Sequence, residues 1–352
     1  MADSDGTAVG TEQTNAAGSF DNLEVGKYKI TATLSDGTTE KKKVEKTINI
    51  KNLDDMSAYL FVHFVDTQED ATREQIYFSV SKDGKTWTTL NNKQPYLTSN
   101  VGTQGVRDPY ILRGEDGKFF IIATDLSVYN LKNNWTAAAQ QGSKSIVVWE
   151  SSDLVNWSEA SLVKINNDNA GCTWAPEACY DPEKDEYMVF WASVVSDDSY
   201  QKYRIYRSYT KDFKTFSAPE LYIEEPNAVI DTTIIDHEGT YYRFTKNEAK
   251  SSITMQECTS LSGDWKDVAN YNLGSMTGYE GPTIYKLNGK NEWCLLLDYF
   301  SKSKGYKPFV TTDITKGEFT ADSDFSFDGT YRHGTVMPIT QAEYNKLTAT
   351  AE

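Results

Sequence analysis

The sequence predicts an all-β chain closed into a five-bladed β-propeller with a short N-terminal β-strand extension, and three observations predict it. Short runs of Val, Ile, Tyr, Phe and Trp alternate with turn residues at regular spacing, and few stretches show helical periodicity. One kind of segment recurs five times: a polar or acidic residue, often followed by Pro or Thr, that opens an apolar strand. A second kind, shaped like the outer hairpin of a four-stranded meander, also recurs five times.

The strand-opening segments are VRDPYI at 106–111, WAPEA at 174–178, IDTTI at 230–234, YEGPTI at 279–284 and RHGTV at 332–336. Their marker residues Asp108, Glu177, Asp231, Glu280 and His333 stand 69, 54, 49 and 53 residues apart. After each of the first four come a tight turn and a second strand, over 117–124, 185–192, 239–245 and 291–298. The outer hairpins span 147–157, 205–216, 253–265 and 308–319, and the closest copy, IYFSVSKDGKTW at 76–87, precedes the first marker. The chain therefore begins with an outer hairpin and ends with an inner strand. A ring resolves this, with strands over 58–64 and 75–90 completing the blade begun at His333. Closure also removes the sheet edges that invite aggregation. A β-sandwich does not predict five matched units.

The propeller is assigned to 53–352. Residues 1–52 differ: 26–34 alternates cleanly, Ser35-Asp36-Gly37-Thr38 makes a hairpin turn, and 44–50 alternates again. That is too little to bury a core, so it reads as part of an immunoglobulin-like module or as strands packed on the propeller's side. Residues 1–6 lack the basic and apolar regions of an export signal and read as a start placed on an excised segment, with a secreted protein expected.

Composition narrows the function. The net charge of −16, with no basic stripe, excludes a nucleic-acid partner. No run of 18 apolar residues is present to span a membrane. Aromatic residues make up 13 % of the chain, which suits half-buried strands and also sugar-binding clefts. Cys172, Cys179, Cys258 and Cys294 show neither a CxxC pair nor zinc spacing and read as small buried hydrophobes. A monomer is expected.

In a propeller the first strand of each blade lines the central channel, so the markers converge on one pocket. Four carboxylates there repel one another and lose solvation unless the site uses them. Mutually perturbing carboxylates are what acid–base chemistry needs. Glycosidic hydrolysis with inversion takes a protonated carboxyl group at the leaving oxygen and an ionised one that activates water, roughly 6.5–9.5 Å apart. Trp174 is a candidate sugar-stacking platform. Glu177 either binds sugar hydroxyls or holds Trp174. Arg332, which alternates away from His333 on a strand, is a candidate substrate contact, and His63 and His237 read as surface or packing residues.

The series VRDPYI, WAPEA, IDTTII, YEGPTI and RHGTV resembles glycoside hydrolase family 43, five-bladed propeller hydrolases of arabinofuranosides and xylosides. The resemblance spans about 56–345 and includes FFIIATDL, MVFWAS and YYRFTKNE. It implies Asp108 as general base, Asp231 as pKa modulator and Glu280 as general acid, although Thr232 stands where many members have Pro. His333 corresponds to the residue that in many members helps hold a central hydrated cation, often calcium. The resemblance implies an inverting exo-acting α-L-arabinofuranosidase that trims arabinoxylan or arabinan. A β-xylosidase and a galactofuranosidase are its nearest alternatives. A non-catalytic sugar-binding propeller would be expected to have lost one of the three acids, and a sialidase-like one would want an arginine cluster and a Tyr nucleophile.

Overall fold

Runs such as Phe119–Asp125 and Trp293–Asp298 are apolar at consecutive positions, and both are buried along their whole length. A strand of that kind needs cover on both faces. A ring of sheets stacked face to face provides it, and that is the arrangement found in the computed structural model, which describes residues 2–3, 26–35, 40–50, 55–65 and 70–349.

Four blades are antiparallel four-stranded meanders in chain order. The first holds Val106–Arg113, Phe119–Asp125, Ser145–Ser151 and Ser161–Lys164; the second holds Trp174–Asp181, Glu186–Ser193, Arg204–Thr210 and Glu220–Ile223. The third holds Val229–His237, Thr240–Asn247, Ser252–Cys258 and Lys266–Asp267; the fourth holds Glu280–Lys286, Trp293–Asp298, Tyr306–Thr311 and Thr320–Ala321. The fifth blade closes the ring as the sequence predicts. Its inner strand Arg332–Thr340 pairs with Met56–Phe64, which continues into Tyr77–Ser81 and Thr86–Thr89, and Ser326–Phe327 adds a parallel edge strand.

The core is divided into one apolar layer between each pair of neighbouring blades. Leu60, Phe78, Ile121 and Trp149 fill the layer between the fifth and first blades; Ile122, Val189 and Trp191 fill the next. Phe190 and Ile205, then Phe244 and Leu295, then Phe61, Trp87 and Leu296 fill the other three. The fully buried Trp87, Trp149, Trp191 and Trp293 each remove 150–250 Å² from water, about 4–6 kcal/mol apiece at ~25 cal/mol/Å². The helix Gln341–Ala349 adds Leu347 to the closing layer.

The outer hairpins share a turn chemistry. Asp83 accepts from the amides of Lys85 and Thr86, Asp153 from Val155 and Asn156, and Asp212 from Lys214 and Thr215. Each Asp thus replaces backbone partners at a tight turn. At the N-terminus, Ala2–Asp3, Gly26–Ser35 and Glu40–Ile50 form a separate three-stranded antiparallel sheet; the expected turn at Asp36-Gly37-Thr38 lies outside the described residues.

Strand direction fixes where function can sit. Every first strand runs away from the channel mouth that its opening residues surround, and every second strand returns to it. The connections after the second strands, including 126–144 and 194–203, therefore lie on the mouth's face.

Candidate active site

Each inner strand opens with a register slip: between Arg107 and Tyr110, Trp174 and Glu177, Ile230 and Thr232, Glu280 and Thr283, and Arg332 and Gly334. In four of these bulges one residue is left-handed: Asp108 (φ 49°), Ala175 (φ 47°), Asp231 (φ 48°) and Gly281 (φ 50°). Bulges re-aim side chains beside active sites, and a non-glycine residue held at such φ costs on the order of 1–3 kcal/mol. The structurally equivalent positions are therefore 108, 175, 231 and 281. This corrects the register read from the sequence, since Glu177 stands two residues deeper in the channel and Glu280 one residue before its blade's bulge. The fifth bulge also overturns the expected direction of Arg332, which points into the site.

Asp108, Glu177, Asp231 and His333 line a narrow axial cavity of about 20 Å³, with Tyr306 and Gly281. That is room for about one water. His333 links the acids around it: Nδ1 is 3.0 Å from Asp108 Oδ1, and Nε2 is 3.1 Å from Glu280 Oε1 and 3.4 Å from Asp298 Oδ2. Asp108 also accepts from Thr124 Oγ1 at 2.8 Å, and Thr124 in turn accepts the Ala175 amide at 2.8 Å. Asp231 Oδ2 accepts the Gly281 amide at 3.0 Å. Glu280 receives three cationic donors: Lys246 Nζ at 2.8 Å, Arg332 Nη2 at 2.9 Å and His333. Arg332 Nε also binds Asp298 Oδ2 at 2.5 Å.

Proton affinities follow from these neighbours. Burial opposes charge on His333, but Asp231, Glu280 and Asp108 prevail and hold the imidazolium well above the usual histidine range. Burial would likewise raise Asp108, yet its bond to His333 and the Arg107 charge keep it below the ordinary carboxylate range. Glu280 is also desolvated, but His333 and Lys246 outweigh that and hold it far down. Asp231 goes the other way: burial, with Glu280 and Asp108 nearby, lifts it to about 6 against the pull of His333 and Lys246. Glu177 is pushed well above the carboxylate range by burial, and its Oε2 has no hydrogen-bond partner among the described residues.

Trp174 is partly buried and stacks on Tyr203, with ring centroids 5.4 Å apart, while Trp135 meets it edge-on at 6.1 Å. The open rings on the 126–144 connection are Trp135, 43 % exposed, and Tyr129, 42 % exposed. His63 is a packing residue, wholly buried, stacked on Tyr331 and lowered to about 4 by that burial. His237 packs against Trp293. All four cysteines are free; Cys172 and Cys294 are buried, whereas Cys179 and Cys258 are only partly covered. Sequence reasoning missed Lys246, Asp298 and Thr124. Asp298 carries a readable signal, a charged residue at the mouth end of an otherwise apolar second strand.

Asp231, Glu280 and His333 bring one ligand-type atom each within 4.8 Å of one another. His333 does not fit as a direct metal ligand there. Both ring nitrogens face ionised carboxylates, which only accept, so both carry hydrogen and neither offers a lone pair.

A family profile described as a probable glycosyl hydrolase domain, related to glycosyl hydrolase 43, matches residues 54–345. An α-L-arabinofuranosidase of Bifidobacterium longum subsp. longum is 30 % identical over 345 residues, covering 84 % of this chain and 32 % of that protein. The chain thus spans about a third of that relative's length. Similar solved structures include a thermostable family-43 glycoside hydrolase (TM-score 0.46, 19 % identity, 64 % of this chain and 75 % of that one). They also include the catalytic domain of a Coprinopsis cinerea GH62 α-L-arabinofuranosidase (TM-score 0.47, 16 % identity, 65 % of this chain and 71 % of that one). A third is an exo-β-1,3-galactanase from Phanerochaete chrysosporium (TM-score 0.47, 17 % identity, 64 % and 53 %). With five bulged inner strands around a carboxylate-lined channel and a profile match across the whole propeller, the chain belongs to the glycosyl hydrolase 43-related family.

Proposed function

We propose that the chain is a secreted, inverting, exo-acting glycoside hydrolase that removes arabinofuranosyl side chains from arabinoxylan or arabinan. One observation carries the reaction: Asp108 and Glu280 stand on opposite edges of the His333 ring. One imidazole and a hydrogen bond on either side separate them, within the roughly 6.5–9.5 Å used by inverting enzymes. Asp108, kept ionised by His333 and steadied by Thr124, takes the proton of the attacking water. Glu280 delivers a proton to the leaving oxygen, and Asp231, which carries the raised pKa, is the partner from which Glu280 is recharged. Arg332 and Lys246 hold the Glu280 carboxylate in place once its proton has gone. The arabinofuranoside assignment is supported by the likeness to the Bifidobacterium enzyme.

The test is hydrolysis of aryl α-L-arabinofuranoside, β-D-xyloside and β-D-galactofuranoside by the wild type and Asp108→Ala. Turnover of the arabinofuranoside, with anomeric inversion by NMR and loss in the variant, is the expected result. Turnover of another glycoside alone would replace the sugar, and silence on all three would count against hydrolysis.

A further inference from the structure

Glu74 is wholly buried in the fifth blade, on the mouth side, 34 residues before Asp108. Its carboxylate accepts four donors. Arg107 Nη1 lies at 2.9 Å and Ser127 Oγ at 3.1 Å, and the amides of Val128 and Tyr129 lie at 3.1 and 3.0 Å. Its carbonyl accepts the Val106 amide at 2.8 Å. One side chain therefore ties the residue next to Asp108 to the backbone of the connection that follows the second strand of the first blade.

That connection carries Trp135. The Arg107 guanidinium lies 5.4 Å from the Trp135 ring centroid and 4.5 Å from that of Phe64, which itself packs 6.0 Å from His333. Beneath it, Leu126, Val128 and Ala138 pack together with Trp174. A buried carboxylate–guanidinium pair is poor value for stability alone, since an apolar pair of similar size does as well or better. What the ionic version supplies is direction, because a carboxylate with four convergent donors fixes a loop's backbone in one place.

We infer that Glu74 is a positioning residue of the substrate mouth, fixing the 126–135 connection against Arg107 so that Trp135 stands as a stacking wall for a neutral sugar ring. This rests on the glycosidase reading for its ligand, but the loop-fixing part does not. A neutral sugar presents an apolar face that an indole covers, and Arg107 beside the ring is already neutralised by Glu74.

The test uses Glu74→Ala, Glu74→Gln and Trp135→Ala in the full chain, with two readouts. Hydrogen exchange followed by mass spectrometry should show the 126–135 amides losing protection in Glu74→Ala, with partial recovery in Glu74→Gln and no change in Trp135→Ala. Kinetics on a neutral arabino-oligosaccharide should show KM raised about tenfold in both Glu74→Ala and Trp135→Ala, with kcat within about threefold of wild type. Unchanged exchange in Glu74→Ala overturns the positioning role. Unchanged KM in Trp135→Ala overturns the stacking wall. A wild type that hydrolyses no glycoside refutes the glycosidase reading instead, and exchange alone then decides the role of Glu74.

Discussion

The Lys246 ammonium stands 2.8 Å from Glu280 Oε2, with only 3 % of its side chain exposed. With Arg332 and His333 on the other oxygen, Glu280 is an acid surrounded by cations, which is the reverse of what a proton donor at neutral pH requires. The free site therefore keeps its exchangeable proton on Asp231, whose pKa lies near 6.

A pH profile follows from this arrangement. Donation needs the Asp231–Glu280 pair to hold one proton, so kcat/KM should be level on the acid side of about pH 6 and fall about tenfold per unit above it. Lys246→Met removes one cation and lets Glu280 hold its proton more firmly, since a nearby opposite charge shifts a carboxyl group by 1–3 units. The alkaline limb should move to higher pH by about one unit. An unmoved limb would show that Lys246 does not act on the acid.

If Glu280 donates to the leaving oxygen, as proposed, its importance should scale with how badly the leaving group needs a proton. Glu280→Gln should lose on the order of 10²–10⁴ in kcat on a natural oligosaccharide, the range of general acid catalysis. It should lose far less on an aryl glycoside whose leaving group departs without help. Parallel kinetics on the two substrates decide it, and equal losses on both would reassign Glu280.

The ring, its closure and the carboxylate set are legible in the sequence because each rests on something repeated. Five strand openings and five outer hairpins at steady spacing have few other solutions. What periodicity could not reveal is how each strand enters the channel. Simple alternation sends Arg332 away from His333, whereas the slip between Arg332 and Gly334 brings both to Glu280. The same slips displaced Glu177 and Glu280 from positions equivalent to Asp108. Lys246 was hidden differently: inside YYRFTKNE it reads as a solvated charge at a strand end, and only tertiary packing shows it to be buried against an acid. Trp135 opens the short helix Trp135–Gln140 and Glu74 follows a short turn, and both lie in connections between strands, whose paths no local pattern specifies.

Gly281 separates backbone strain from collision at the candidate active site. It is left-handed at φ +50°, and a Cβ there would lie 2.5 Å from His333 Cδ2 and 2.8 Å from Nε2. Gly239, at φ +82°, is also left-handed, but a Cβ there would meet nothing within 4 Å. Gly239→Ala should therefore pay only the left-handed penalty, about 1–2 kcal/mol, seen as a Tm lowered by a few degrees with full activity. Gly281→Ala meets the same penalty and must also push His333 off the line between Asp108 and Glu280. Its Tm should fall further, and kcat/KM should drop by about 10² or more, since a displacement of about 1 Å at reacting groups has that effect. Thermal melts and aryl-glycoside kinetics on the two variants make the comparison. If Gly281→Ala matched Gly239→Ala in both, the placement of His333 would not matter to the reaction.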